Sequence, residues 1–181
     1  MDKTNKIEMH RSFLIETLPE PLTRASAHIQ IFDNYIANTR IRLRSVRNPQ
    51  TRNWTRILQQ RIPAAEKNAA VFMIFEIYLN ESEYERFNLF EGAEIRKNRY
   101  FHEYDGKMLA FDLFIGELWG LNMTRVDFEN ADDLRTFEPP KFLVFEVTNE
   151  PFFLGENLVL KNFNDVRAEV AKLETGLSSA K

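Results

Sequence analysis

Seven arginines and no acidic residue occur in residues 39–61, TRIRLRSVRNPQTRNWTRILQQR. Arg40, Arg42 and Arg44 alternate with apolar residues, which is the period of a β-strand, so these three arginines share one face. Like charges side by side repel one another, and such a face is stable when it is well solvated or meets an anion. A guanidinium group matches the oxygens of phosphate and carboxylate. The stretch therefore predicts either an anion-binding wall or a solvated sheet face.

A second pair of cations favours the anion-binding interpretation. Lys97 and Arg99 share a face on a separate predicted strand. If this strand and the arginine strand face one cavity, at least five cations converge there, and a concave site of one charge sign attracts anions. Arg56 is a further candidate on the strand at residues 54–61. The sequence leaves open whether the face of Arg56 or the face of Arg61 points inward.

Carboxylates also occur on predicted strands near apolar neighbours, namely Glu8, Glu76, Asp112 and Asp127. Carboxylates around a cationic cavity can hold Mg²⁺ or Mn²⁺, which prefer oxygen ligands and bridge to substrate phosphates. The alternative is that each carboxylate pairs with an arginine across the sheet. His10 is interpreted as a polar strand residue, or else as a contact to ligand or metal.

The composition narrows the function classes. The chain has 181 residues, a formal net charge of -3 and no cysteine. The net charge gives no general attraction for nucleic acid or anionic lipid, so a nucleic-acid partner is not favoured. The absence of cysteine excludes thiolate catalysis and cysteine metal sites. Neither a membrane-spanning apolar run nor a signal-peptide core is visible, which predicts a cytoplasmic protein without a membrane partner. Because no glycine-rich phosphate loop occurs, phosphate binding has to rest on side chains.

The elements that must position these residues are mostly strands. Strands are predicted at residues 7–15, 25–36, 40–44, 54–61, 71–79, 95–104, 108–115, 123–128 and 143–147. Helices are predicted at residues 81–90, 131–137 and 165–173. This order favours an α+β fold, an eight-stranded antiparallel β-barrel or a strongly curved sheet with a few peripheral helices. We predict one domain over residues 1–181, with its core at about 7–173 and disorder in the first few residues and in 176–181.

The order of the motifs resembles the CYTH superfamily, the triphosphate tunnel metalloenzymes. The resemblance spans about residues 8 to 158. The family's Glu-x-Glu-x-Lys, Arg-x-Arg, Lys-x-Arg-Tyr, Asp-x-Phe-x-Gly-x-Leu and Glu-x-Glu patterns are matched, in chain order, by residues 8–12, 42–44, 97–100, 112–118 and 125–127. Each motif is short, and the shared order carries the resemblance.

The resemblance implies an eight-stranded antiparallel tunnel in which basic residues bind a linear triphosphate and carboxylates hold a divalent metal. Members hydrolyse inorganic tripolyphosphate, thiamine triphosphate or nucleoside triphosphates, or cyclise ATP. The implied substrate-binding residues are Arg40, Arg42, Arg44, Arg56, Lys97 and Arg99. The implied metal ligands for Mg²⁺ or Mn²⁺ are Glu8, Asp112 and Asp127, and the implied catalytic residues are Asp127 and Glu76.

Departures from the family pattern leave two functions open. His10 and Arg125 stand where the family has glutamates, and Ser12 stands where it has lysine. Metal-ligand positions are thus lost or reversed in charge, while most phosphate-binding positions survive. The first hypothesis is a tunnel that binds a small-molecule triphosphate or polyphosphate, with weak or altered metal-dependent triphosphatase activity. The second is a non-catalytic interaction domain that uses its arginines for an acidic protein or RNA partner. The oligomeric state stays open, a homo-oligomer included.

Overall fold

The computed structural model describes residues 3–65, 68–88 and 92–178. Its strands are β1 (Lys3–Leu14), β2 (His28–Ile36), β3 (Ile41–Arg47), β4 (Trp54–Ala65), β5 (Asn68–Leu79), β6 (Gly92–Tyr104), β7 (Lys107–Ile115), β8 (Asn122–Phe128) and β9 (Phe145–Glu146). Its α-helices are α1 (Glu81–Phe87), α2 (Ala131–Thr136), α3 (Gly155–Leu158) and α4 (Phe163–Ser178). None of the helices in these ranges is long and apolar enough to cross a membrane.

Eight strands close into an antiparallel barrel. The strand order is β5-β4-β3-β2-β6-β7-β8-β1, and β1 also pairs with β5. β1 closes the ring because residues 3–9 pair with β5 while residues 9–14 pair with β8. The two-residue β9 adds to the end of β1 at Phe13 and Leu14. The predicted α+β class and eight-stranded antiparallel barrel are therefore confirmed, with β9 as an extra strand.

The inside of the barrel is charged and largely closed to solvent. Successive side chains of a strand point to opposite faces, so one register decides the face of every residue. The register places Arg44 opposite Asp33, Arg99 opposite Asp112 and Arg125 opposite Ser12. Asp33 is 1% exposed and Asp112 4% exposed. Charges at this depth are stable only when they are paired and hydrogen-bonded.

Most of the apolar core lies at one end of the barrel and on its outer surface. One cluster joins Leu14, Ile95 and Phe114 of the strands to Phe153 and Leu158 of the C-terminal segment. A second cluster covers the outer face around β1, β7 and β8 with residues from the connections and the segment after α2. The second cluster lies outside the tunnel, whereas side chains of the first cluster, Phe153 and Leu158 among them, line one end of the central cavity.

Residues 151–158 close one end of the tunnel. Phe153, Leu154, Gly155 and Leu158 line the central cavity although they belong to no barrel strand. They can reach the interior only through an open end. A side chain at Gly155 would collide with Tyr35, because a Cβ added there would lie 1.9 Å from the Tyr35 hydroxyl. The closing segment therefore lies directly against Tyr35 of β2. Periodicity did not predict α3, since four residues form little more than one helical turn.

Several predicted boundaries are corrected at the chain ends. β1 already begins at Lys3, so the polar residues that follow the N-terminus form strand instead of a loose segment. α4 runs to Ser178, so residues 176–178 are helical and not disordered, while residues 179–181 lie outside the described ranges. The cap of α4 is Asn162, whose side chain accepts hydrogen bonds from the Asn164 and Asp165 amides. The predicted end of α1 at residues 89–90 also lies outside the described ranges.

Candidate functional site

A cavity of about 90 Å³ lies inside the barrel. Its charged lining consists of six cations and two carboxylates, which are Arg42, Arg44, Arg61, Lys97, Arg99, Arg125, Asp33 and Asp112. The side chains that face this space therefore carry a net charge of +4 at neutral pH. The structure brings the predicted cations of β3 and β6 together in one cavity. Such an excess of one sign in a concave site attracts small anions.

Asp33 holds the two arginines of β3 in place. Arg44 donates from Nε to Asp33 Oδ1 at 2.6 Å and from Nη2 to Oδ2 at 2.7 Å, while Arg42 Nη1 lies 3.3 Å from Oδ2. Burial alone would raise the pKa of Asp33, but Arg42 and Arg44 outweigh it and hold that pKa well below its usual range. Asp33 was not among the predicted site residues. The available signal was its position in an otherwise apolar alternation on β2.

Asp112 plays the same part for the cations of β6. It accepts from Lys97 Nζ at 2.7 Å and from Arg99 Nε and Nη2 at 2.6 and 2.7 Å. Against the effect of burial, these cations hold the pKa of Asp112 well below its usual range. Burial lowers the pKa of Lys97 to about 8, since Asp112 only partly compensates and Arg99 repels the added charge. Lys97 therefore titrates close to physiological pH.

Glu8 joins two arginines on the opposite side of the barrel. Its Oε1 accepts from Arg61 Nη2 at 2.9 Å, and its Oε2 lies 3.0 Å from Arg125 Nη2. Arg125 also donates from Nε to Asp127 Oδ1 at 2.8 Å. Asp127 itself lies at the edge of the site, because 59% of its side chain is exposed. The predicted carboxylates Glu8 and Asp127 thus both serve Arg125.

Glu76 acts on the cavity through Gln59. Glu76 is buried, and its Oε1 accepts from Gln59 Nε2 at 2.5 Å. Gln59 in turn accepts from Arg42 Nε at 2.6 Å, so the two side chains orient the guanidinium of Arg42. Glu76 does not line the cavity itself. Its predicted catalytic role stays a prediction, and the contact it makes in the structure is a positioning one.

Arg40 and Arg56 lie outside the central cavity. Arg40 is exposed and lines an adjoining space of about 230 Å³, which shares Arg42 and Arg61 with the central cavity. It therefore lies at the mouth of the tunnel. Arg56 points outward, donates to Glu81 of α1 at 3.1 Å and lies over the ring of Tyr84. Because side chains alternate along β4, Arg61 and not Arg56 is the arginine of this strand that faces the central cavity.

Comparison with known proteins gives one related sequence and a shared architecture. No family model matches the chain. The chain is 35% identical over 80 residues to an inorganic triphosphatase of Acetivibrio thermocellus, a match that covers 42% of this chain and 50% of that protein. The matched part of the chain thus spans about half the length of this curated relative.

The solved structures extend the comparison to most of the chain. The crystal structure of the inorganic triphosphatase NE1496 superposes with a TM-score of 0.57 at 24% identity, covering 85% of this chain and 95% of that one. A second structure of NE1496 gives a TM-score of 0.58 at 23% identity, with 86% and 99% covered. These findings confirm the predicted resemblance to the CYTH superfamily. At this level of identity the structural likeness shows the CYTH fold.

The CYTH resemblance implies a divalent metal, and the carboxylates of this chain do not fit one. Among the residues that the structure describes, no group of three His, Asp or Glu side chains could hold a metal ion. Glu8 and Asp112 each bind two cationic side chains, and Asp127 binds Arg125. Arginine pairing, the alternative open from the sequence, is the geometry observed for these three carboxylates, whereas Glu76 accepts a hydrogen bond from Gln59. A metal ion at Glu8 or Asp112 would have to displace buried cationic side chains from the carboxylate that pairs with them.

Proposed function

We propose that this chain binds inorganic triphosphate, or the triphosphate group of a small molecule, inside the barrel. The observation that carries the proposal is the net charge of +4 on the residues that line a small, partly closed cavity. A linear polyphosphate carries several negative charges in a narrow cross-section, which matches this lining in charge and shape. The similarity to an inorganic triphosphatase supports the same class of ligand.

The ion pairs prepare the cations for an anion. Asp33 holds Arg44, and Asp112 holds Lys97 and Arg99, by short hydrogen bonds, so these side chains need little further ordering when a ligand binds. Hydrogen bonds between ionised partners are about twice as strong as neutral ones, and a site of low dielectric strengthens them further. The entropic cost of ordering these side chains is therefore met when the chain folds and not when the anion binds.

Hydrolysis of the terminal phosphoryl group is the enzymatic form of this proposal. Arginines stabilise the charge of a transferring phosphoryl group, and the cavity provides several of them. Neither candidate for a base that orients the attacking water faces the interior of the cavity, because Glu76 does not line it and Asp127 lies at its edge. The geometry therefore favours binding with slow hydrolysis. Loss of phosphate release in Asp127→Ala would indicate that the cavity hydrolyses its ligand with the help of Asp127. Unchanged release would exclude Asp127 as the base.

A thermal shift assay tests binding. At about 100 times the dissociation constant, a ligand stabilises the folded state by roughly 2.7 kcal/mol, which raises the Tm of a chain of this size by about 5–10 °C. Tripolyphosphate should give this shift at low salt, and Lys97→Met should reduce it strongly. Arg96→Met is the matched control, since Arg96 neighbours Lys97 on β6 and is exposed. The absence of any shift with tripolyphosphate, thiamine triphosphate and ATP would refute the proposal.

The same variants separate the alternative of an RNA-binding or acidic-partner domain. In that alternative the exposed Arg40 and Arg52 carry the contact, and Lys97 inside the barrel contributes little. Salt-sensitive binding of RNA that survives Lys97→Met and is lost in Arg40→Ala would favour the alternative.

A further inference from the structure

The part of the cavity next to Glu8 carries cationic and neutral donors instead of metal ligands. Arg61 reaches it from β4, Arg125 from β8 and His10 from β1, and all three line the cavity. The proposal that follows rests on the proposed function and concerns how a polyphosphate is held at this place.

Glu8 has both of its oxygens engaged. Oε1 accepts from Arg61 and Oε2 contacts Arg125, at 2.9 and 3.0 Å. Burial alone would raise the pKa of Glu8, but the two arginines outweigh it and hold that pKa well below its usual range. Glu8 therefore stays ionised and acts as an internal anion that orients two guanidinium groups toward the cavity.

Two buried nitrogens beside Glu8 lack a hydrogen-bond partner within the described part of the chain. They are Arg61 Nε and His10 Nδ1. His10 is 7% exposed, and its Nδ1 lies 3.8 Å from Glu8 Oε1, which is beyond hydrogen-bond distance. Phe72 orients both groups, since the Arg61 guanidinium lies 4.1 Å from its ring centre and the His10 ring stacks on it at 5.9 Å. Buried donors without partners are costly, and a bound acceptor removes that cost.

The local charge favours an anion over a metal ion. Arg61 and Arg125 line the cavity, and the single carboxylate of Glu8 is shared between them. The His10 ring is buried against Phe72, and its unpartnered Nδ1 belongs to the same lining. An uncharged imidazole ring can donate one N–H without adding charge. A divalent cation placed here would add to the existing repulsion, whereas an oxyanion relieves it.

We propose that His10, Arg61 and Arg125 form an anion subsite that binds one phosphoryl group of the polyphosphate directly, so that binding requires no divalent cation. Arg61 Nε and the guanidinium of Arg125 donate to the phosphoryl oxygens, and His10 supplies a neutral donor. Glu8 is a positioning residue that keeps the two guanidinium groups apart and oriented.

Isothermal titration of the full chain with tripolyphosphate tests this subsite. The dissociation constant in EDTA should lie within about twofold of the value with Mg²⁺ or Mn²⁺, once the anion bound by metal in solution is subtracted. Arg61→Gln should weaken binding in EDTA by roughly 10- to 100-fold, the effect of one charge-assisted hydrogen bond. Arg56→Gln is the matched control, because Arg56 lies on the outer face of the same strand and should leave binding unchanged.

A second variant and a measurement on the unaltered protein test the subsite even if Arg61→Gln fails to fold. Arg61→Lys keeps the charge but removes the Nε donor, and it should still weaken binding by several-fold. In heteronuclear NMR spectra of the nitrogen-labelled, unaltered protein in EDTA, tripolyphosphate should shift the Arg61 Nε–H and His10 ring resonances. Shifts confined to other arginines would overturn the subsite.

The outcomes distinguish this subsite from the proposed function. No binding of tripolyphosphate with or without metal would overturn both proposals. Binding that appears only with Mg²⁺ or Mn²⁺ would overturn the subsite and leave the proposed function intact. Binding in EDTA that is equally tight in Arg61→Gln, Arg61→Lys and the unaltered chain would also overturn the subsite alone.

Discussion

Lys97 should make anion binding by this cavity depend on pH. Because its pKa is about 8, Lys97 is about nine-tenths protonated at pH 7 and about one-tenth protonated at pH 9. Only the protonated amine attracts the anion, so affinity should be highest below pH 8 and should fall as the pH rises above it. Arg44 and Arg125 do not titrate in this range, because their neighbouring carboxylates raise the pKa of each.

The size of the effect follows from linkage. A charge-assisted contact worth about 1.5–3 kcal/mol raises the pKa of Lys97 in the complex by about 1–2 units. The dissociation constant should therefore increase about five- to tenfold between pH 7 and pH 9. In the free protein, Lys97 makes the free energy of unfolding depend on pH in the opposite direction. Because folding lowers its pKa from 10.5 to about 8, the free energy of unfolding increases as the pH rises above about 8.

Calorimetric titrations with tripolyphosphate at pH 7, 8 and 9 in EDTA measure this dependence. Lys97→Met should bind weakly at every pH and show no decrease of its own, and Arg96→Met should follow the unaltered chain. Ionisation of the anion contributes equally to all three proteins, so the difference between them reports Lys97. Retention of the full decrease in Lys97→Met would contradict the assignment to Lys97, since another group would then be titrating.

Four further changes test the architecture around the cavity. Asp33→Ala should lower the free energy of unfolding in urea by about 3–5 kcal/mol, because it leaves two buried arginines without their carboxylate; a loss below about 1 kcal/mol would show that water replaces it. Stability should decrease as the pH falls below about 4, since the pKa values of Asp33 and Asp112 are lowered in the folded state and the unfolded chain takes up protons first; constant urea midpoints from pH 6 to 3 would contradict this. Gly155→Ala should cost about 1–3 kcal/mol and lower the Tm, because its Cβ would lie 1.9 Å from the Tyr35 hydroxyl. Arg56→Ala should change the unfolding free energy by less than about 1 kcal/mol, as its partner on α1 is exposed.

Local patterns were sufficient for the main strands and for the inward cations of β3 and β6. Alternation placed Arg42 and Arg44 on one face, and the same rule placed Lys97 and Arg99 together, as the cavity shows. The helix cap at Asn80 was also predictable, because an asparagine before Glu81 and Glu83 is a local signal that the capping box confirms. These features depend on neighbours within a few residues, which a sequence pattern records directly.

Partners from distant strands were not predictable. Glu8 and Arg61 are 53 residues apart, and Arg42 and Gln59 are 17 apart, so their contacts arise from the register of the closed barrel. Asp33 shares a face of β2 with Ile29 and Ile31, and its arginine partners follow only from the pairing of β2 with β3. The sequence likewise left Arg56 and Arg61 equivalent, since alternation separates two faces without saying which one points inward.

An antiparallel β-rich chain with two basic strands follows from the sequence alone, since backbone periodicity and turn residues act locally. The presence of six cations in one cavity, and the pairing of buried carboxylates with arginine and lysine, depend on closure of the barrel. Buried charges must find countercharges within a few ångströms, and the strand register of the closed barrel sets which ones are within reach.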